Sequence, residues 1–573
     1  MPGTGCHEGD LVTNRYRVHF AKGVAAVLAA GLLAAACGGS STPKGTATTK
    51  APTDAGKPQL GGEITYALEG ESDDGWCLPS AQLAISGIQV ARTIYDQLAA
   101  PDEAGNFVPF LAKTITPNAK FDKWTITLRD GIKFHDGTAL DATVVKNNLM
   151  AYRGAYANRG NVRLFAFTFL NIKDVAVTDP MTVTVTTAAP WVQFPAFLYG
   201  SGRVGIMAQA QLDSKDHCGD EMIGTGPFQY KGGWVKGDKL PLVKNPNYWR
   251  KDADGVQLPY LDAITYKVVT ETDTTVAGLG TQYTVTNLDS AEGIDRLRKI
   301  AKTGKLNLLE SQKYPEVSYT MLNNSKLPFS NINARFAYAH AINFDESNIL
   351  RNKGINERAT GPFGPGVLGN LPDQKLPEFS VAKAKDYVAK YEKETGEKLH
   401  FVLSLTPDQG SVETAKLAKK YLEDAGMKVD NLKTSLQAAL IDNVIAGDFQ
   451  AAGWRNHPGF DPDTQYVWWS SAPNPVNFGR WNDPEMDKLL DLGRSSSDPA
   501  VRKQAYEDIN KRFNEKQYSV WSFYTLWVLA ADPKLQGLLG PNLPTADSPD
   551  ASGAKPFPGL AVGNDVSGLW LKK

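Results

Sequence analysis

Histidine and cysteine are scarce in this 573-residue chain, seven of the first and four of the second. That leaves little material for a protein-built metal cluster, and no two of His135, His217, His340, His400 and His457 stand at metal-ligand spacing. Neither sign of charge is in excess, with 61 Lys+Arg against 62 Asp+Glu. A nucleic-acid binder needs a basic surface to displace counterions from phosphate, so the balance argues against that class. No apolar run reaches about 18 residues, which excludes a membrane-spanning body. There is no Gly-x-Ser-x-Gly elbow, no His-Glu-x-x-His helix and no phosphate loop ending in Gly-Lys-Ser/Thr. Carboxylate pairs such as Asp73-Asp74 or Asp461 with Asp463 are too common to imply glycosidase chemistry, whose test is a spatial separation. The expectation is a protein without catalytic residues, cofactor or metal. No internal repeat recurs at roughly 20–50 residues, so solenoids and propellers are excluded. What is present is 42% hydrophobic and 10% aromatic content, in a chain long enough for two or three folded units at ~100–200 residues each.

Val24 to Ala36 is a thirteen-residue apolar stretch preceded by Arg15, Arg17 and Lys22. Basic flank, short apolar run and small residues make a secretory signal, too short for the ~30 Å hydrocarbon layer. Glu8 and Asp10 do not suit such a leader, so translation is expected to start near Leu11 or Val12. The stretch Leu33-Ala34-Ala35-Ala36-Cys37-Gly38-Gly39-Ser40 resembles a bacterial lipoprotein cleavage site with Cys37 as the lipidated residue; the alternative is a plain secreted protein. Two or three acyl chains, at about 0.8 kcal/mol per buried methylene, would anchor it firmly. Loss of 1–36 takes three basic and two acidic residues from the 61 and 62, leaving 58 and 60. Residues 37–59, rich in Ser, Thr, Ala, Gly, Pro and Lys, form a flexible tether. The two cysteines then left, Cys77 and Cys218, suggest one disulfide in an exported protein, the alternative being two buried thiols.

The folded body starts near Leu60. Glu63 to Leu68 alternates as a strand, 81–98 has helical apolar spacing, and Trp124, Ile126 and Leu128 alternate as a strand that continues past Asp130-Gly131 to Ile132 and Phe134. Asp141 caps a helix, and Val175 to Thr187 is β-rich. Further on, a helix covers about 333–343. A strand at 399–405, a Ser411-capped helix to Ala425 and Met427-Lys428-Val429 suggest a parallel α/β unit. Helices near 484–494 and 498–516 precede an aromatic strand from Tyr518 to Ala530.

Several segments stand in order along the chain: Lys123 through Gly137 (KWTITLRDGIKFHDG), Gly224-Thr225-Gly226-Pro227-Phe228, Asn245-Pro246-Asn247-Tyr248-Trp249, and Pro328-Phe329 to Arg335 with Ala341-Ile342-Asn343. Gly453-Trp454, Asp461-Pro462 and Pro484 to Leu490 complete the set. Together they resemble the peptide-type (family 5, Opp/Dpp/nickel-binding-like) extracytoplasmic solute-binding proteins of bacterial ABC importers. Most of these residues are architectural, and His135 is read as a hydrogen-bonding residue of the scaffold.

The resemblance implies an α/β fold of two lobes, a periplasmic-binding-protein fold of type II, cluster C-like, with an extra subdomain in one lobe. Mapped here, lobe I covers 60–317 with 76–210 as the extra subdomain and 531–573 as its return, and lobe II covers 318–530. The crossings fall near 317–320 and 525–528, and hinge closure would enclose a ligand between the lobes. The implied partners are an ABC permease with its ATPase and a peptide or similar solute; a monomer is expected, touching the membrane by its lipid alone and binding no nucleic acid.

Gly453-Trp454-Arg455-Asn456-His457 is the leading site candidate. In peptide-binding relatives this segment lines the cleft, its backbone pairs with the ligand, and an Asp shortly afterwards holds the α-ammonium. Here Asn456-His457 stands where that Asp would be, and Arg455 would favour an anionic group. Either another carboxylate, Asp461 or Asp463, takes the role or the ligand has no free ammonium. Trp468, Trp469, Trp521, Phe523 and Tyr524 are candidates for stacking or core walls, and Trp76 for the cleft rim. A second reading is a regulatory or assembly lipoprotein that reuses the fold without transport.

Overall fold

The computed structural model describes residues 56–71, 75–81, 83–159, 164–456, 459–471 and 474–573. The signal segment, Cys37, most of the tether and His457 lie outside the described residues.

Two sheets organise the chain. The first runs Asn307–Ser311, Trp527–Ala531, Val285–Leu288, Glu63–Leu68, Ala263–Val268, Lys239–Lys244, Phe228–Tyr230. Its Glu63–Leu68 strand is parallel to both neighbours and buries Ile64, Tyr66, Ala67 and Leu68, so both faces are covered, as parallel pairing requires. The second runs Glu357–Arg358, Ser519–Tyr524, Val317–Leu322, Ala451–Asn456, His400–Leu405, Lys428–Thr434. Its last two strands are parallel and are joined by the helix Gln409–Asp424, the α/β unit expected from the alternation. A separate antiparallel sheet, Ala112–Pro117, Lys123–Leu128, Thr182–Thr187, Ile172–Asp179, is inserted into the first half. Trp124, Ile126 and Leu128 face its core while Lys123 and Thr125 are exposed, the period of two that a half-buried strand shows.

Several local expectations shift. The helix expected over 81–98 covers Ile85–Ile94, because Tyr95 turns to extended backbone and Ala99–Pro101 pairs with Phe107–Pro109. Ile132 and Phe134 do not continue the preceding strand; the turn closes on a single bridge, Lys133 with Ala139. The β-rich stretch from Val175 is a hairpin of two strands. The cap of the 409–424 helix is Asp408, whose carboxylate accepts the Ser411 N–H at 2.8 Å, leaving Ser411 inside the first turn. Asp141 caps its helix as read, accepting the Val144 N–H at 2.9 Å.

The aromatic run Tyr518 to Ala530 is two strands in different sheets, Ser519–Tyr524 in the second and Trp527–Ala531 in the first. The chain therefore crosses between sheets twice, after Ser311 and after Tyr524. The crossings are bonded to each other, the Thr525 N–H donating to the Glu316 carbonyl at 3.0 Å. We call each of these two sheets, with the helices packed on it, a lobe. Cys77 and Cys218 are joined by a disulfide.

Gly224 and Gly226 allow a close approach. A Cβ on Gly224 would stand 2.0 Å from the Ile94 carbonyl oxygen, and one on Gly226 2.6 Å from the same group. His135 fastens that segment, Nδ1 accepting the Gly224 N–H at 3.3 Å and Nε2 donating to the Gly226 carbonyl at 3.0 Å. Among the described residues, no helix is long and apolar enough to cross a membrane.

Candidate functional site

The Ala451–Asn456 strand pairs along its whole length with Val317–Leu322 on one side. On the other, His400–Leu405 reaches it only at Ala451 and Ala452, because that strand ends at Leu405 and turns into its helix through Asp408. From Gly453 to Asn456 the second backbone edge therefore has no strand against it among the described residues. Gly453 is exposed, and a Cβ there would meet nothing nearer than the Ser404 oxygen at 4.0 Å. An uncovered edge of this kind can take an extended peptide as an added strand, its backbone N–H and C=O groups supplying the hydrogen bonds.

Side chains along the strand divide between two faces. Trp454 lies opposite Tyr319, which lies opposite Trp521; it is half-buried and meets Phe478 edge-on at 5.6 Å. Trp468 is also half-buried and packs on Phe478 at 5.3 Å. Asn456 donates to the Gln465 side chain.

Arg455 points across to the first lobe. It forms an ion pair with Asp289 and stands 3.6 Å from Glu316, and these two charges hold its guanidinium firmly protonated. The expectation that Arg455 favours an anionic ligand group is thereby corrected, since its charge is already taken up by carboxylates of the protein. Glu69 completes the group. Its carboxyl is pushed up to about 8, first by burial and then by Asp289, with Arg455 opposing. Burial also raises Glu316, whose carboxylate accepts the Trp527 Nε1–H at 3.3 Å. Three carboxyl groups thus surround one guanidinium, and a further cation is favoured there over an anion.

Asp461 is engaged within the protein. Both of its oxygens accept from Arg502 Nη2, at 2.7 and 2.9 Å, and it caps the turn Pro462–Gln465 by accepting the Asp463 N–H. Asp463 is fully buried between Arg494 and Trp191, each at 2.8 Å. Neither is free to hold an ammonium, which corrects both expectations. Tyr524 is 1% exposed, its hydroxyl donating to the Phe363 carbonyl at 3.0 Å, so it is a core residue. Trp469, Trp521 and Phe523 are likewise buried, and Trp76 packs inside against Trp234.

Glu69, Asp289 and Glu316 escape sequence reasoning, since each is a lone acidic residue in unremarkable company. One signal could have found two of them. Glu69 and Asp289 immediately follow two adjacent parallel strands, Glu63–Leu68 and Val285–Leu288, and the carboxyl ends of such strands are where α/β folds bind ligands.

Residues 106–478 match the family of bacterial extracellular solute-binding proteins, family 5 (middle). The chain belongs to this family. It is 27% identical over 438 residues to the probable D,D-dipeptide-binding periplasmic protein DdpA of Escherichia coli K12, covering 73% of this chain and 79% of that one. Its fold is similar to that of the periplasmic binding protein DppA of Helicobacter pylori in complex with the peptide STSA, with a TM-score of 0.76 at 20% identity over 90% of this chain and 99% of that one. It is also similar to AgaA of A. tumefaciens R10 in complex with agropinic acid, with a TM-score of 0.75 at 21% identity over 89% and 99% of the two chains. This family 5 protein therefore has the two-lobed fold of periplasmic binding proteins, and it is an extracellular solute-binding protein.

Proposed function

We propose that this family 5 protein is the lipid-anchored substrate-binding component of an ABC importer, which encloses a peptide or peptide-like solute between its lobes and delivers it to the permease. The lobes are taken as 60–316 with 527–573, and as 317–526, in place of the bounds 317, 318–530 and 531 expected from the sequence, because Trp527–Ala531 joins the first sheet and Val317 the second. The observation that carries the reading is the uncovered strand edge from Gly453 to Asn456, ending beside Glu69, Asp289 and Glu316. An extended backbone laid along that edge places one end among carboxyl groups, which suits an α-ammonium. Gly453, Trp454, Asn456 and Trp468 are the ligand-lining residues of this reading, with Arg455 holding the carboxyl groups in place. The peptide class is also the one that relatives named for D,D-dipeptide binding and for a bound peptide support.

The test is a thermal-shift panel of di- to penta-peptides, the same peptides N-acetylated, oligosaccharides and metal chelates. A ligand at 100 times its dissociation constant stabilises the fold by about 2.7 kcal/mol. A shift with free peptides that is lost on N-acetylation is expected. Shifts only with blocked or non-peptide solutes would discard the ammonium end, and silence from a folded protein would favour the regulatory lipoprotein. Lipid anchoring rests on Cys37 in its cleavage-site setting; Cys37→Ser is expected to move the protein from the membrane fraction to the soluble one. Unchanged membrane retention would remove the anchor from the reading.

A further inference from the structure

The lobes meet a second time, away from Arg455. On one side stands the segment that follows the Thr182–Thr187 strand, Trp191 and Val192, with the helix Phe194–Tyr199. On the other stands the segment that follows the Ala451–Asn456 strand, with Phe460, Asp463 and, further on, Arg494. The second group belongs to the second lobe by its packing, since Trp469 just beyond it lies against Phe363 at 5.5 Å and Phe513 at 4.8 Å.

Asp463 has no exposed surface, and its two oxygens are divided between the lobes. One accepts the Arg494 Nε–H from its own lobe and the other accepts the Trp191 indole N–H from the opposite lobe, both at 2.8 Å. The Arg494 guanidinium lies 5.0 Å from the Trp191 ring and 5.6 Å from Phe197. The Val192 N–H donates to the Arg494 carbonyl at 3.0 Å. Beside this, Phe460 is 5% exposed and enters a cup of rings: Phe557 at 4.1 Å, Tyr199 at 5.5 Å, Tyr314 at 5.6 Å and Phe107 at 5.9 Å. Phe107, Tyr199 and Phe557 belong to the first lobe and Tyr314 to the crossing.

We infer that Trp191, Asp463, Arg494 and the Phe460 cup form a clasp between the lobes that holds them closed through protein contacts alone, independently of any solute. A buried aromatic ring and a buried, hydrogen-bonded carboxylate are both costly to pull apart. Separating the lobes strips Phe460 from its cup and takes the indole donor from Asp463. The clasp therefore biases the open–closed equilibrium toward the closed form. An affinity measured against the closed form is weakened in proportion as that form is depopulated.

The test uses protein refolded from guanidinium to strip co-purified solute, and adds none, so it does not depend on the peptide reading. Small-angle scattering is recorded for the parent, for Phe460→Ser and for Trp191→Phe, which keeps a ring but removes the donor. A radius of gyration near the ~24 Å of a compact chain of this size is expected for the parent. Both variants should rise by about 1 Å or more as the lobes separate, with unchanged far-ultraviolet circular dichroism. Folded variants with scattering identical to the parent would overturn the clasp. If Phe460→Ser does not fold, the Trp191→Phe curve decides alone, larger than the parent in support and superimposable against.

Discussion

Glu69 follows the central strand of the first sheet with its carboxyl pushed up to about 8, burial acting first and Asp289 second. A carboxyl whose folded pKa lies above its unfolded value, about 4.5, binds more protons in the folded state across that interval. The stability linked to it is fully present below about 4.5 and is lost as pH rises through about 8. We therefore expect the melting temperature of the parent to fall between pH 6 and 9, and Glu69→Gln, which cannot ionise, to flatten that fall; melting curves across this range check it. Equal slopes in the two proteins would mean that Glu69 titrates normally. His135 works in the opposite direction. Burial lowers it to about 4, so its contribution is present above about 6.5 and is lost as pH falls through about 4. Its role as a scaffold residue is implied by the motif around it, although the partners that give it that role, Gly224 and Gly226, lie 89 and 91 residues further on. The role of Arg455 could not be read, because Asp289 and Glu316 lie far from it in sequence and are brought to it by the crossing of two sheets.

Elements were legible where a local pattern decides them. The Trp124, Ile126, Leu128 alternation, the Asp141 cap and the unit around the 409–424 helix each show in the segment's own pattern, although the strands find partners farther off, Lys123–Leu128 with Thr182–Thr187 and His400–Leu405 with Lys428–Thr434. The misread elements share a cause, which is that a partner outside the segment ends or redirects them. The 85–94 helix stops where Ala99–Pro101 finds Phe107–Pro109. The Tyr518 to Ala530 run has one continuous β-favouring composition, yet its first half pairs with Val317–Leu322 and its second half with Val285–Leu288 and Asn307–Ser311. Composition does not record which sheet a strand joins. The same limit applies to the candidate site. The Gly453-Trp454 pair is visible as a motif, but its open edge exists only because the neighbouring strand stops two residues into the ladder.

At the scale of the whole molecule, one cluster of buried residues runs from the first lobe, through Trp191, Phe460 and Trp469, to Trp481, Phe513 and Trp521 in the second. A shared core makes the lobes unfold together, so differential scanning calorimetry is expected to give a single transition with equal calorimetric and van't Hoff enthalpies. Two resolved transitions would mean that the lobes are stable independently. Phe460 is one of the residues through which this cluster passes between lobes, so Phe460→Ser should drop the van't Hoff enthalpy below the calorimetric one before it changes secondary structure. Of the ion pairs that cross between the lobes, Lys353 with Glu292 is exposed on both sides and adds little to this coupling, whereas Arg455 with Asp289 sits in the partly buried group of carboxyls around Glu69.

The sequence by itself carried the ordered motifs whose resemblance to a known family pointed to a two-lobed solute-binding fold, while its balanced charge and few histidines and cysteines left no sharp catalytic, metal or nucleic-acid signature. Such motifs are legible because each is carried by residues near one another in the chain. Only the tertiary structure decided which charges are free. Asp461 and Asp463 are acidic residues like any others until Arg502 and Arg494 neutralise them, and Glu69, Asp289 and Glu316 are unremarkable until two sheets bring them around Arg455. A charge acts over a few ångströms of space, and that distance is set by the fold, not by the spacing of residues along the chain.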